Sequence, residues 1–387
     1  MRYRFCLKNK TLGGNGINQM EWTQAGAAAL LVRLYLNAEK YIGEPRYKEC
    51  AEYCQKIING EYGPYALADR WDAPFDWNND TCDELIYAFT GTFSGSHWHY
   101  SNRYSLWVAP FRAHDYFGFT DWGWLNPCWA LTPGLDLDGK EYTFQLGKPV
   151  RKFMEYLEDY RLKKYRNLGD SKREGMMLFG YLDYEKGGEK LRVKDDGERW
   201  ELYLRDQVGL FEGRTPEQSP SDEWNGKTNP MISDWNHADQ NSGWCAIKYP
   251  LYKNEDAGKI EADFAEIRLA EIYYSLAECK LREGNVTDAG RLLNTVRKRN
   301  YPQESWSKNL YVPEGTAQLD MDEMLDEWGR EFLAEKRRRT DLNRFGLFTT
   351  GIWWDKQPSD SYRRFYPIPA RAISANPLLK RSEGYIY

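Results

Sequence analysis

The sequence contains no run of 18 or more apolar residues, so nothing in it reads as a membrane-spanning helix. Its opening, MRYRFCLKNK, is positively charged but has no apolar stretch behind it, and as it stands it is not a secretory signal. That fits a cytosolic protein, or one whose true N-terminus lies upstream of these residues. Histidine is scarce, at four residues. His97 and His99 alternate as on a strand, but no third ligand stands at a telling spacing, so no metal is expected. The seven cysteines are odd in number, scattered and without a Cys-x-x-Cys pair, which argues against a disulfide framework. Cys50 and Cys54, four apart on a helical pattern, read as small buried side chains. Walker, G-x-S-x-G and H-E-x-x-H patterns are missing, and the GGNG at 13–16 follows no strand pattern, so no phosphate loop and no cofactor are expected. A net charge of -5, with no long basic run except Lys336 to Arg339, excludes a nucleic-acid surface.

What the chain does have is length and aromatics. Its 387 residues suffice for a substantial core, and 41% hydrophobic with 29% charged residues is a globular composition. Trp, Tyr and Phe make up 16%, with 16 Trp and 28 Tyr. Trp and Tyr join a flat apolar face to a polar tip, a combination suited to wet interfaces and ligand clefts.

Helical periodicity marks both ends of the chain. Ala27, Leu31, Leu34, Ala38 and Tyr41 form one stripe, and Tyr47, Cys50, Cys54 and Ile57 form another after the turn GEPR. A second pair spans 263–299, with Ile267, Ala270, Tyr274, Ala277 and Leu281, then Val286, Ala289, Leu293 and Val296 after Gly284-Asn285. These two helix–turn–helix units look like tetratricopeptide units without that repeat's marker residues. Two units rarely stand alone, so they should pack on something further. Further helices are predicted at 148–165 and 320–340. Residues 200–213 read equally as strand or short helix. The Pro-punctuated tail reads as an extended strap over the helices.

Residues 61–260 are irregular, and long irregular stretches in a compact protein usually carry function. Between 94 and 134 the aromatics crowd without any period. A sugar ring has an apolar C–H face and a rim of hydroxyls. The face packs on an indole or phenol ring, and the hydroxyls need polar partners once they are buried. Trp98, Tyr100, Tyr104, Trp107, Trp122, Trp124 and Trp129 supply flat rings, and Arg103, Arg112, Asp115, Asp121 and Asn126 lie among them. We therefore expect a glycan-binding face formed by Trp98, Tyr100, Tyr104, Trp122, Trp124, Trp129, Arg112, Asp121 and Asn126. A second cluster, Trp224, Trp235 and Trp244, can extend this face or contact a partner.

Four blocks resemble the SusD/RagB family of outer-membrane nutrient-binding lipoproteins. They are AALLVRLYLNAEKYIGEPRYKECAEYCQKIINGEYG, EIRLAEIYYSLAECKLREG with AGRLLNTVRKR, EFLAEKRRRTDLNRFG, and YPIPARAISANPLLKRSEGY. Lys336 stands where that family usually has Gly. The ending keeps only Gly384 and Tyr385 of its usual Gln-Asn-Pro-Gly-Tyr form. The resemblance implies a mainly α fold, with tetratricopeptide-like helical pairs forming an α-α superhelix type of scaffold and a loop-rich region carrying the ligand face. The division expected is 1–65 for the first helical pair, 66–260 for the glycan-binding region, and 261–387 for the C-terminal helical region with its strap. Family members begin with a lipoprotein signal, an acylated Cys and a long helical portion. None of these is among these residues, so the chain is expected to begin inside such a protein.

The charged helical motifs fit the scaffold. Arg268, Glu271 and Glu278 share one helical face by spacing, as do Glu331, Glu335, Arg338 and Asp341. They read as ion pairs locking the C-terminal helix onto the second helical pair, not as catalytic acid–base pairs. The resemblance implies non-catalytic binding of oligosaccharide or polysaccharide. The protein would sit on the outward face of the outer membrane, on an N-terminal lipid anchor, and deliver to a SusC-type TonB-dependent transporter. Two alternatives remain at this point. One is a glycoside hydrolase using Asp115, Asp121 or Asp136, and the other is a protein-interaction scaffold.

Overall fold

The computed structural model describes residues 19, 21–89, 149–165, 167–169, 172–178, 180–182, 185–186, 189–190, 202–204, 222–224, 227–229, 245–249, 262–353 and 356–386. The first helical pair comprises Gln24–Leu36 (α1), a short continuation Ala38–Ile42 (α2), and Tyr47–Ile58 (α3). Thr23 starts α1, its hydroxyl accepting the Gly26 N–H at 2.9 Å. Gly43, at φ 75°, ends α2 in the left-handed conformation.

The buried face of α1 is not the predicted one. Ala25, Ala28, Ala29, Val32 and Leu36 are buried, whereas Leu34 is 47% and Tyr41 52% exposed. Ala27 and Leu31 are half-buried, and of the predicted stripe only Ala38 is buried. The sequence QAGAAALLVRLYL is apolar nearly all round, so a 3.6-residue period singles out no face. The alanine side goes inward because small side chains let α1 and α3 approach closely. On α3, Cys50, Cys54 and Ile57 are buried as their spacing predicts.

The next helix described, Pro149–Met154 (α4), is shorter than predicted. Asp159 accepts hydrogen bonds from the Arg161 backbone N–H at 2.9 Å and from its guanidinium at 3.0 and 2.7 Å. Residues two apart do not face each other on a helix, so this pair requires a turn, and Leu157 is left 60% exposed.

The second pair is Leu269–Arg282 (α5) and Val286–Arg297 (α6), with the Asn285 side chain accepting the Asp288 N–H at 3.1 Å. Ala270, Tyr274, Ala277 and Leu281, with Ala289, Leu293 and Val296, are buried as predicted, but Val286 at the first turn is 41% exposed. Ile267 is buried on a strand, not a helix. The strands with described burial include Leu85–Phe89 (β1), Met177–Leu178 (β2), Cys245–Ala246 (β3) and Phe264–Arg268 (β4). β1 pairs antiparallel with β4, Leu85 opposite Arg268 and Phe89 opposite Phe264, and β2 pairs with β3.

The predicted helix at 320–340 is two helices, Met321–Glu331 (α7) and Arg338–Arg344 (α8). Between them Ala334 and Lys336 adopt positive φ, 65° and 61°, which breaks the helix. α3 packs on α5, so the two pairs stack, and α7 lies against α5. One core runs through them, from Ala28 and Cys54 to Tyr274, Leu293 and Trp328. A smaller cluster joins α4 to β2 and β3 through Val150, Phe153, Met177 and Ala246.

The tail is largely exposed and contains a short helix, Ala370–Ala375 (α9), where an extended strap was predicted. It meets α8 through Arg339, which donates to the carbonyls of Arg363 and Arg364 at 3.2 and 3.0 Å. It also folds back on itself where the Tyr385 hydroxyl donates to the Phe365 carbonyl at 2.7 Å.

Candidate functional site

Trp98, Tyr100, Tyr104, Arg112, Asp121, Trp122, Trp124, Asn126 and Trp129 all fall within 90–148, outside the described residues. Asp115, Asp136, His97 and His99 fall in the same segment, and Trp235 and Trp244 likewise lie outside the described residues. The structure fixes the two ends of that segment: it leaves β1 at Phe89 and re-enters at Pro149, the start of α4. Both anchor points sit on the frame of helices and strands, Phe89 39% exposed and Pro149 half-buried.

That frame is held by carboxylates and guanidiniums packed in layers. Arg268 donates through Nε and Nη2 to both oxygens of Glu335 at 2.8 and 3.0 Å, and through Nη1 to Glu331 at 2.8 Å and Glu84 at 3.1 Å. Arg299 reaches Glu331 at 3.0 Å and also pairs with Glu84, and Arg161 reaches Glu331 at 2.6 Å. Lys248 closes the cluster, with Nζ 2.7 Å from Glu335 and donating to the Glu331 carbonyl at 2.8 Å. Glu331, at the end of α7, and Glu335, within the helix break, therefore converge on Arg268. They do not share a continuous face with Arg338 and Asp341. Arg338 donates to the Leu325 carbonyl at 2.7 Å, and Asp341 pairs with Arg344 at 2.9 Å.

Two further clusters sit on α5. Glu278 accepts from Arg344 at 2.8 and 2.9 Å, from Arg282 at 2.9 Å and from the Trp328 indole N–H at 2.8 Å. Glu271 accepts from Arg33 at 2.7 and 2.8 Å and pairs with Arg337. Burial alone would raise these carboxyls, but the guanidiniums outweigh it. Arg33 and Arg337 hold Glu271 down at about 2, Arg344 and Arg282 lower Glu278, and Arg268, Arg299 and Arg161 hold Glu331 well below its usual range. A general acid needs a raised pKa, so these three carboxyls are fixed charges and not proton donors at neutral pH. At Lys248 burial prevails over its partner: it lowers the ammonium to about 8 against the pull of Glu335.

An exposed aromatic pair lies outside the segment picked from the sequence. The Trp22 indole is 47% exposed and stacks flat on Tyr87, with ring centroids 4.3 Å apart and planes 14° from parallel. Phe89, 39% exposed, meets Tyr87 edge-on at 5.5 Å. The sequence held no period that marked it: LIYAF is apolar throughout, Leu85, Ile86 and Ala88 are buried, and only Tyr87 and Phe89 reach the surface.

Residues 72–385 match the pattern of the SusD family. The chain belongs to the SusD family. Its curated relatives include the starch-binding protein SusD of Bacteroides thetaiotaomicron, 27% identical over 383 residues, covering 92% of this chain. The chain spans 59% of that relative's length. The SusD-like protein P25 of Formosa agariphila is 28% identical over 127 residues, 30% of this chain and 23% of that protein. Among solved structures, NanU of B. fragilis superposes with a TM-score of 0.56 at 16% identity, over 98% of this chain and 66% of that one. A surface glycan-binding protein of Bacteroides uniformis gives 0.50 at 17% identity, over 93% of this chain and 61% of that one. At these identities the superpositions establish the fold, the tetratricopeptide-like helical frame of the SusD superfamily. The arginines and glutamates of the SusD-type blocks thus serve as the ties of that frame.

Proposed function

We propose that this SusD-family chain binds oligosaccharide or polysaccharide without cleaving it. On this reading it works at the outward face of the outer membrane, on an N-terminal lipid anchor, and delivers its glycan to a SusC-type TonB-dependent transporter. The observation that carries the reading is the family match over 72–385, together with the curated starch-binding relative aligned over 92% of this chain. The buried carboxylates support it, because Glu271, Glu278 and Glu331 are committed to guanidiniums that keep them ionised. Trp98, Tyr100, Tyr104, Trp122, Trp124 and Trp129 form the stacking surface, and Arg112, Asp121 and Asn126 take the hydroxyl rim. Within the proposed division, 66–260 carries this face, and 1–65 with 261–387 supply the scaffold. Affinity gains from several weak contacts along one glycan chain.

The test is electrophoresis of the purified protein through gels containing plant, host and microbial polysaccharides. Wild type should be slowed by at least one of them. Trp98→Ala, Trp122→Ala or Trp124→Ala should weaken that retardation. New reducing ends released from the retained polysaccharide, and lost in Asp115→Ala or Asp121→Ala, would point to a hydrolase instead.

A further inference from the structure

We infer that Cys50 and Cys279 join in one disulfide bond when the chain folds under oxidising conditions, tying the first helical pair to the second, and that the folded core then seals the bond from thiols in solution. Both thiols are free in the structure. Cys50 lies on α3 and Cys279 on α5, the helices through which the two pairs stack, and both side chains are wholly out of water. Their sulfurs are in hydrogen-bond contact across that interface. Cys50 Sγ also donates to the Val32 carbonyl of α1 at 3.6 Å and contacts Cys54. Three of the seven cysteines therefore meet where α1, α3 and α5 join. Burial alone asks only for a small apolar side chain, and Ala28, Ala29 and Ala277 fill that role in the same core. It does not explain sulfur facing sulfur between two helices far apart in sequence.

Geometry selects the pair. A disulfide needs its Cβ atoms about 3.5–4.5 Å apart. Residues four apart on one helix hold theirs about 5–6 Å apart, so Cys50 and Cys54 cannot join while α3 stays helical. Cys279 faces Cys50 from a separate helix and carries no such bar. The reaction is thiol–disulfide exchange with an external oxidant of the disulfide class, such as glutathione disulfide. One protein thiolate attacks the oxidant, forming a mixed disulfide and releasing one oxidant thiol. The second thiolate displaces the other oxidant thiol and closes the bond. Two protein thiols are oxidised, and their two protons and two electrons leave with the oxidant as two thiols. Folding then halts the exchange. Burial raises the Cys54 thiol, and the hydrogen bond to Cys50, with burial, raises Cys279. Its bond to Cys279 lowers Cys50, but Cys54 and burial outweigh that and leave it well above its usual value. Thiols kept protonated and out of water neither attack nor are attacked, so the state reached during folding is preserved.

The test is refolding of the full chain from denaturant in a glutathione redox buffer, then alkylation and a nonreducing tryptic digest read by mass spectrometry. Peptides 49–56 and 269–280 should appear linked through Cys50 and Cys279. That readout on wild type does not depend on any variant folding. The linkage should persist in Cys54→Ala and vanish in Cys50→Ala. The oxidised chain should have a thermal midpoint about 5 °C above the reduced one. Chain refolded fully reduced and then given glutathione disulfide should stay unlinked for hours, and the folded oxidised chain should resist dithiothreitol until denaturant is added. No linked peptide after oxidative refolding, or linkage through Cys54 instead, overturns the pairing. Rapid linkage of the folded reduced chain, or rapid reduction of the folded oxidised one, overturns the sealing.

Discussion

Arg344 meets Glu278 edge to edge, Nε to Oε1 at 2.8 Å and Nη2 to Oε2 at 2.9 Å, tying α8 to α5 across 66 residues of sequence. Both side chains are almost wholly out of water, 1% and 0% exposed. Two parallel charge-assisted bonds fix direction as well as energy. Removing one partner strands the other charge in a low dielectric. Glu278→Ala should therefore cost about 3–5 kcal/mol, read as a lower denaturant midpoint. A loss below about 1 kcal/mol, the range of an exposed surface pair, would contradict the account of α8 as tied through this contact.

The pH dependence follows from Glu271. Its folded pKa is depressed from 4.5 to about 2, so the stability it contributes is complete above 4.5 and lost as pH falls through about 2. Thermal midpoints should decline over that window. Glu271→Gln should lower the midpoint at pH 7 and flatten the acid limb. A limb of unchanged steepness in the variant would remove Glu271 from the explanation.

Lys336 sits at φ 61°, where a side chain crowds the following carbonyl and glycine does not. Its contact with the Phe264 ring at 4.5 Å offsets part of that strain. Lys336→Gly should therefore stabilise by about 0.5–1 kcal/mol, seen as a higher denaturant midpoint at unchanged slope.

Gly290 lies inside α6, where alanine would ordinarily help by about 1 kcal/mol. Here an added Cβ would stand 2.3 Å from the Val312 carbonyl oxygen, a backbone atom that cannot swing aside. Overpacking should reverse the sign, so Gly290→Ala should destabilise by about 1–3 kcal/mol in the same denaturation assay.

How much of this was legible depended on whether a local pattern had one solution. α3 and α6 carry charge on one side and apolar residues on the other, and Cys54 and Leu293 are buried where their spacing put them; α5 is buried nearly all round, its Glu271 and Glu278 included, and Tyr274 is buried with the rest. α1 is apolar nearly all round, so packing size chose its face, and Leu34 came out exposed. The break at 334–336 left no trace in propensity because Ala and Lys are helix formers, and its one sign was that the resembled family usually has Gly at 336; ion pairs of Glu335 and Arg337 and the Lys336 contact with Phe264 accompany the left-handed residues. Arg268 and Glu331 were legible as scaffold charges, but their partners Glu84, Arg161, Lys248 and Arg299 were not, since ties across 32 to 184 residues leave no spacing to read. Trp22 was passed over because a lone Trp before a capping Thr has no period. Its contact with Tyr87 exists only once β1 is placed beside α1.

The most direct measurement is a calorimetric titration of the purified protein with the polysaccharide that retains it in gels, followed by assay of the recovered glycan for reducing ends. The account predicts saturable heat with no new reducing ends. Saturable binding accompanied by steadily rising reducing ends would contradict it, as would no binding to any polysaccharide.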